Sequence, residues 1–224
     1  MIKETKFRNV FELKKGRRKF LLTKNLAPGS SVYGEKLIQD DDIEYRVWNP
    51  DKSKLAAAIL NKVCQINLKP DTVVLYLGAS TGTTVSHVSD IIGKGGFVFA
   101  VDSAPRVMRD LVFVCEQRSN IAPILADANM PDTYKDRITE VDWLYQDISQ
   151  KNQVDIFLKN VDLFLKPGHF GLLAVKARSI DVTKDPATIF SEVKKQLEKH
   201  VIIADKVLLE PHQKDHCLFV CKKR

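Results

Sequence analysis

The stretch Val73-Val74-Leu75-Tyr76-Leu77-Gly78-Ala79-Ser80-Thr81-Gly82-Thr83-Thr84 constrains the fold more than any other part of the chain. Five apolar residues in a row suit a strand covered on both faces, as in a parallel sheet flanked by helices. The small residues that follow let a ligand approach the main chain. The next segment, 85–92, reads as a helix whose first turn offers unpaired N–H groups. In such sheets ligands bind at the carboxyl ends of the strands, where strand order reverses.

The chain after this turn keeps alternating. Strands are expected at 97–101, 121–125, 141–145, 170–175, 206–209 and 216–221. Helices are expected at 105–118, 131–138, 151–166 and 186–199. Alternation of this kind implies a mostly parallel sheet with helices on both faces. The first fifty residues read differently. Segments 6–13 and 17–22 alternate loosely around the turn Lys14-Lys15-Gly16, and 43–48 is a further short strand. A small antiparallel β domain is therefore expected over 1–50, followed by an α/β domain over 51–224. Asp51 is read as the N-cap of a helix over 52–66, with Leu55, Ile59 and Val63 on one stripe.

Composition narrows the class further. A net charge of +7 favours an anionic partner such as nucleic acid, without bearing on the fold. No apolar run approaches the ~20 residues needed to span a bilayer. Met1-Ile2-Lys3-Glu4-Thr5-Lys6 lacks the apolar core of a signal peptide, so a cytoplasmic protein is expected. Cys64, Cys115, Cys217 and Cys221 form no Cys-x-x-Cys pair and have no histidine at zinc spacing, so no metal is expected. They are read as free buried thiols, with Cys217 and Cys221 on one face of the last strand.

Four readings compete for the glycine-rich turn. A Walker A loop needs a lysine after the second glycine, and Gly82 is followed by threonine. A dinucleotide fingerprint needs a third glycine three residues on, which is missing. Gly78-Ala79-Ser80-Thr81-Gly82 matches the Gly-x-Ser-x-Gly nucleophile elbow, but no oxyanion segment precedes it and little sheet would lie before the serine. The fourth reading is an S-adenosylmethionine site, which needs a small-residue turn after the first strand and an acid after the second for the ribose hydroxyls. Asp102 supplies that acid, Asp127 follows the third strand and Asp147 the fourth. One such aspartate is as readily a turn former, whereas three on one rim are hard to explain that way. The expected fold is thus a Rossmann-like class I methyltransferase with a seven-stranded sheet.

Several stretches resemble the fibrillarin family in order. They are Tyr33-Gly34-Glu35-Lys36, Tyr45-Arg46-Val47-Trp48-Asn49-Pro50, Ser53-Lys54-Leu55-Ala56-Ala57-Ala58-Ile59, Leu75-Tyr76-Leu77-Gly78 and Gly82-Thr83-Thr84-Val85-Ser86-His87-Val88-Ser89-Asp90. Asp127-Ala128, Ile180-Asp181, Leu209-Glu210-Pro211 and Asp215-His216 continue the match to the end of the chain. The glycine- and arginine-rich extension of the eukaryotic members is absent, so the resemblance is to the archaeal form. It implies a cell without a nucleolus and methyl transfer from S-adenosylmethionine to ribose 2′-hydroxyls of rRNA or tRNA. It also implies a box C/D guide RNA, a Nop-family scaffold protein and a kink-turn-binding protein of the L7Ae type as partners.

By that resemblance Gly78, Gly82, Thr83 and Thr84 form the cofactor turn, and Thr83 and Thr84 meet the methionine end. Asp102 holds the ribose hydroxyls, Asp127 and Ala128 flank the adenine, Asp147 and Gln150 line the reaction centre, and Ile148 and Ser149 join the cofactor-binding set. The family's usual Glu and aromatic are here Asp102 and Ser103, so Ser103 cannot stack on adenine. Lys54, Asp147, Lys176 and His216 are the expected catalytic set, with Asp147 tuning Lys176. A solvated or phosphate-binding lysine fits Lys54 or Lys36 as well, and a hydrogen-bonded structural histidine fits His216. Glu35 and Lys36 suit a scaffold-facing surface as well. Arg106, Arg109 and Arg178 are favoured for RNA backbone contact over the basic hairpin tip of Lys14, Lys15, Arg17, Arg18 and Lys19. Two other functions fit the same fold: methylation of a protein or small molecule, and a non-catalytic RNA-complex subunit.

Overall fold

Side chains alternate across each strand, and this sorts the apolar residues onto two sheets. The computed structural model describes residues 1–16 and 18–224, so Arg17 of the expected basic tip lies outside the described residues. The first sheet comprises β1 (Ile2–Glu4), β2 (Val10–Lys15), β3 (Arg18–Lys24), β4 (Leu37–Asp40) and β5 (Ile43–Trp48). It is antiparallel in the order β1-β2-β3-β5-β4. The β2–β3 hairpin turns where expected, but β2 starts at Val10 rather than at residue 6. The Val10 N–H donates to the Phe7 carbonyl (3.2 Å), and that turn separates β1 from β2.

The second sheet comprises β6 (Val73–Leu77), β7 (Phe97–Asp102), β8 (Ile121–Leu125), β9 (Val141–Gln146), β10 (Leu165–Lys176), β11 (Val201–Leu208) and β12 (His216–Lys223). Its order is β11-β12-β10-β9-β6-β7-β8, with β12 alone running against the others among the described strands. Strand order reverses at β6, which lies between β7 and β9.

The helices are α1 (Lys54–Leu60), α2 (Thr83–Ile92), α3 (Pro105–Glu116), α4 (Gln153–Phe164), α5 (Ala177–Ile180) and α6 (Pro186–Leu197). Three expectations need correction. Ser53, not Asp51, caps α1, its hydroxyl accepting the Ala56 N–H (3.3 Å). The helix ends at Leu60 rather than 66, because the Asn61 amide donates to the carbonyls of Leu208 and Glu210 (2.7 Å each) and Lys62 takes a φ of 65°. Residues 131–138 form two single 3-10 turns, Pro131–Thr133 and Lys135–Arg137, instead of a helix.

Two apolar clusters cover the large sheet. Val74 and Tyr76 point into one with α1, α2 and α3, while Leu75 and Leu77 point into the other with α4 and α6. Cys217 and Cys221 share the second cluster, whereas Cys64 is exposed, contrary to the expectation that all four thiols are buried. Val10, Leu21 and Trp48 of the small sheet join the first cluster, so the two sheets share one core.

A buried ionic network crosses that junction. Asp90 on α2 accepts hydrogen bonds from Arg46 of β5 (2.8 Å), Thr23 of β3 (2.8 Å) and Arg118 (2.5 Å). Arg46 also donates to Glu35 (2.6 Å) and Ser86 (2.9 Å). Burial pushes the Glu35 carboxyl up, but Arg46 and the N–H groups of Tyr33 and Val32 outweigh it and hold it below the usual range. His87 lies between Thr23 and Tyr33 (2.8 Å each). Burial, with Arg46 and Arg118 close by, holds its pKa well below the ordinary histidine value. The ring is therefore neutral. Because Thr23 gives its hydroxyl proton to Asp90, His87 Nδ1–H donates to Thr23 and Nε2 accepts from Tyr33.

Removing Asp90 leaves the buried Arg118 without a carboxylate partner and Arg46 with Glu35 alone. Asp90→Ala is expected to cost about 3–5 kcal/mol, the range for breaking a buried ion pair from one side. Urea unfolding checks this, and a loss under about 1 kcal/mol would contradict the assigned network.

Candidate active site

The turns that follow β6, β7 and β9 meet on one rim. Gly78 has a φ of 81°, and a β-carbon there would collide with the main-chain carbonyl of Asp147. The Asp147 N–H donates to the Leu77 carbonyl (2.9 Å), and the Gly78 and Ala79 N–H groups donate to the Val101 carbonyl (2.9 and 3.0 Å). Asp102 ties two turns together by accepting the N–H of Ser80 (2.8 Å) and of Ala104 (2.9 Å). Ser80 itself sits at a φ of 50°, a strained value for a non-glycine residue. That backbone resembles a nucleophile elbow. However, His216 Nδ1 is engaged by the Lys214 carbonyl (2.6 Å), and no hydrogen bond joins Ser80 to a histidine among the described residues.

Two adjoining hollows open on this rim. One of about 340 Å³ is lined by Gly78, Asp102, Ser103, Asp127, Ala128, Asp147, Ile148, Ser149 and Gln150. The other, about 290 Å³, is lined by Lys54, Thr83, Thr84 and Tyr76 and shares Gly78, Ser80, Asp147 and Ser149 with the first. Every expected cofactor-binding residue lines this cleft except Gly82. Gly82 lies behind it, at a φ of 90°, against Leu111 and Val114 of α3. Tyr76, Val101 and Ala126 line the cleft with no signal in the sequence, and Ser80, which the sequence offers only as a nucleophile, lines both hollows.

The expected pairing of Asp147 with Lys176 is not the one formed. Lys54 Nζ donates to Asp147 Oδ1 at 2.6 Å, and each side chain is 18% exposed. The N-cap explains the geometry. Thr84 of α2 donates its hydroxyl to Ser53 (3.0 Å), which fixes the start of α1 and aims Lys54 across the cleft. Lys176 and His216 come from adjacent strand ends, paired in register, but line neither hollow. Burial lowers the His216 pKa, the Lys214 carbonyl opposes this, and Lys54 lowers it further, so the ring is neutral near pH 7. Its Nδ1–H faces Lys214, leaving Nε2 as an acceptor.

Gln153 is a positioning residue that the sequence did not reveal. Its Nε2 donates to the Gln150 carbonyl (2.9 Å) and its Oε1 accepts the Lys176 N–H (3.3 Å). Of the arginines expected to meet RNA, Arg106 and Arg109 are exposed on α3, while Arg178 is held by Asp215 (3.1 Å) and the Val182 carbonyl (2.9 Å).

The fibrillarin family model matches residues 1–224. The chain belongs to the fibrillarin family. A fibrillarin-like rRNA/tRNA 2′-O-methyltransferase of Methanocaldococcus jannaschii is 51% identical over 216 residues, covering 96% of this chain and 94% of that protein. The structure of Aeropyrum pernix fibrillarin with natively bound S-adenosyl-L-methionine superposes with a TM-score of 0.92 at 41% identity, covering 99% and 97% of the two chains. A fibrillarin/Nop5p complex superposes with a TM-score of 0.90 at 39% identity, covering 99% and 100%. In this chain the rim is set by the approach of Gly78 to Asp147. Gly78→Ala is expected to cost roughly 1–3 kcal/mol through overpacking and a positive φ. Chemical denaturation measures it, and wild-type stability would show that the two turns do not touch.

Proposed function

We propose that the protein transfers a methyl group from S-adenosylmethionine to ribose 2′-hydroxyls of rRNA or tRNA, as the catalytic subunit of a box C/D small ribonucleoprotein. The observation that carries this reading is the continuous cleft, with Asp102 and Asp127 at one end and the Lys54–Asp147 pair (2.6 Å) at the other. It is supported by the activity in the name of the M. jannaschii relative and by the S-adenosylmethionine held by the A. pernix protein.

The residues suit that cofactor. The space forbidden to a side chain at Gly78 leaves main chain exposed to a ligand. The first turn of α2, at Thr83 and Thr84, has free N–H groups for the amino-acid carboxylate. Asp102 has lone pairs left for the ribose hydroxyls, and Asp127 with Ala128 frames the adenine end beside Ser103. When bound, the cofactor supplies a methyl group on a positively charged sulfur.

The chain's own residues must align the ribose hydroxyl and manage its proton. Asp147 Oδ1 is taken by Lys54, and Oδ2 makes no hydrogen bond among the described residues. Asp147 Oδ2 accepts the hydroxyl's hydrogen bond and draws off the proton as the oxygen attacks. Lys54 and Lys176 stabilise the charge growing on that oxygen, and neutral His216 presents Nε2 to the same cluster. Arg106 contacts RNA phosphate.

The fibrillarin/Nop5p complex supports a Nop-family scaffold as partner. A kink-turn-binding protein of the L7Ae type and a guide RNA complete the assembly, in the cytoplasm of an archaeal cell. No described helix is long and apolar enough to cross a membrane. Residues 1–50 serve as a small β domain and 51–224 as the methyltransferase domain, joined by the Asp90 network.

Asp102→Asn keeps one acceptor for the turn yet is expected to weaken S-adenosylmethionine binding about tenfold, ~1.4 kcal/mol, by calorimetry. Asp147→Asn and Lys176→Ala are expected to bind cofactor normally and lose ~10²-fold or more in single-turnover methylation. Unchanged affinity or turnover would remove the respective residue from its role.

A further inference from the structure

Two family-like stretches, Tyr33-Gly34-Glu35-Lys36 and Val47-Trp48-Asn49-Pro50, take no part in the cleft just described. Both line a separate cavity of about 650 Å³ between the small sheet and the approach to α1. That volume lies in the range of ligand sites, ~300–1,000 Å³.

Its walls are aromatic. Phe20 and Tyr33 contribute rings, with Trp48 buried behind them. Tyr33 is a rigid platform, because its hydroxyl is held at 2.8 Å from His87 Nε2 and 3.1 Å from the Val47 carbonyl. Lys52 lies over the Tyr33 ring, 5.3 Å from its centroid. Trp48 is fully buried, and its Nε1–H has no hydrogen-bond partner among the described residues. An unpaired buried donor is costly and calls for explanation.

Its rim is cationic. Arg18, Lys19, Lys36 and Lys52 border the cavity and are exposed. Glu35 is bound to Arg46, and Asp51 faces His212 at 2.9 Å. Lys52 also lines the active-site hollow that contains Lys54. Lys52 thus borders both the cavity and the catalytic cleft.

We propose that this cavity is a nucleotide subsite for the substrate RNA, holding a nucleotide that flanks the methylated one. The inference rests on the RNA reading given above. The base stacks on Tyr33 in place of Lys52, and Lys36 and Lys52 take the adjoining phosphate. Stacking on an aromatic ring beside lysines is how single strands are gripped without reading sequence. An apolar protein side chain would fill the rings but leave the cationic rim without a counter-charge, so RNA is the occupant the observations favour.

The test uses the complex reconstituted from protein, scaffold, kink-turn protein and guide. Target RNAs carry 5-iodouridine on either side of the methylated nucleotide, and cross-linked peptides are mapped by mass spectrometry. A cross-link from one flank to Tyr33 or Phe20 is expected, and Tyr33→Phe, which keeps the ring, should retain it. Lys36→Gln should raise the KM for RNA about fivefold at unchanged kcat and lower the salt slope by about one. Cross-links only outside the cavity, a scaffold peptide cross-linked within it, or an unaltered KM in Lys36→Gln would overturn the subsite. Ribose methylation is scored in the same tubes. Methylation without a cavity cross-link defeats the subsite alone, whereas no methylation by the wild-type complex defeats the RNA reading beneath it.

Discussion

The carbonyl of Asp147 occupies the place that a β-carbon on Gly78 would need, so β6 and β9 leave the sheet side by side with no side chain between them. Strand order reverses at this point, and the rest of the site follows from it. The Gly78 turn is free to expose its main chain toward one hollow. The Asp147 side chain is carried to the other, where Lys54 meets it. Asp102 then braces the neighbouring turns by accepting two N–H bonds, so the rim is organised before any ligand arrives.

A second constraint acts from behind. Helix α2 begins at the cleft with Thr83 and Thr84, and its far end carries Asp90 into the junction with the small sheet. Arg46, Arg118 and Thr23 converge on that carboxylate, while Ser53 joins α1 to Thr84. The helix that presents N–H groups to the cleft is therefore held at both ends. A buried ionic network is weak as a source of net stability, yet it is exacting about geometry, because any misplacement strands a charge. Here it sets how the small sheet sits beside the active site, and with it the aromatic cavity that Tyr33 and Trp48 line.

Much of the sheet was legible in the sequence, because apolar runs such as 73–77 and small-residue turns are local signals. The rim aspartates are legible for the same reason: each sits at, or within two residues of, the end of a strand. What was not legible depends on distant partners. Nothing in its own short strand shows what Arg46 pairs with, because Asp90 lies on another element. Helix α1 is shorter than its apolar stripe suggests, because its end is fixed by the carbonyls of Leu208 and Glu210. Asp147 was paired with Lys176 from adjacent strand ends, whereas the Ser53 cap aims Lys54 at it instead. Gln153 carries no motif, and its part in holding Gln150 and Lys176 is visible only in three dimensions. β1 and β4 are short edge strands whose pairing comes from β2 and β5 rather than from their own pattern.

The central claim is that the cleft delivers a methyl group to a ribose oxygen selected by a guide. The most direct measurement supplies the reconstituted complex with methyl-labelled S-adenosylmethionine and two target RNAs, alike except that one lacks the 2′-hydroxyl at the guide-specified nucleotide. Nuclease digestion and mass spectrometry then locate the label. The account predicts one labelled methyl on the 2′-oxygen of that nucleotide and none on the deoxy target. Label on a base, on a protein, or equally on both RNAs would contradict it.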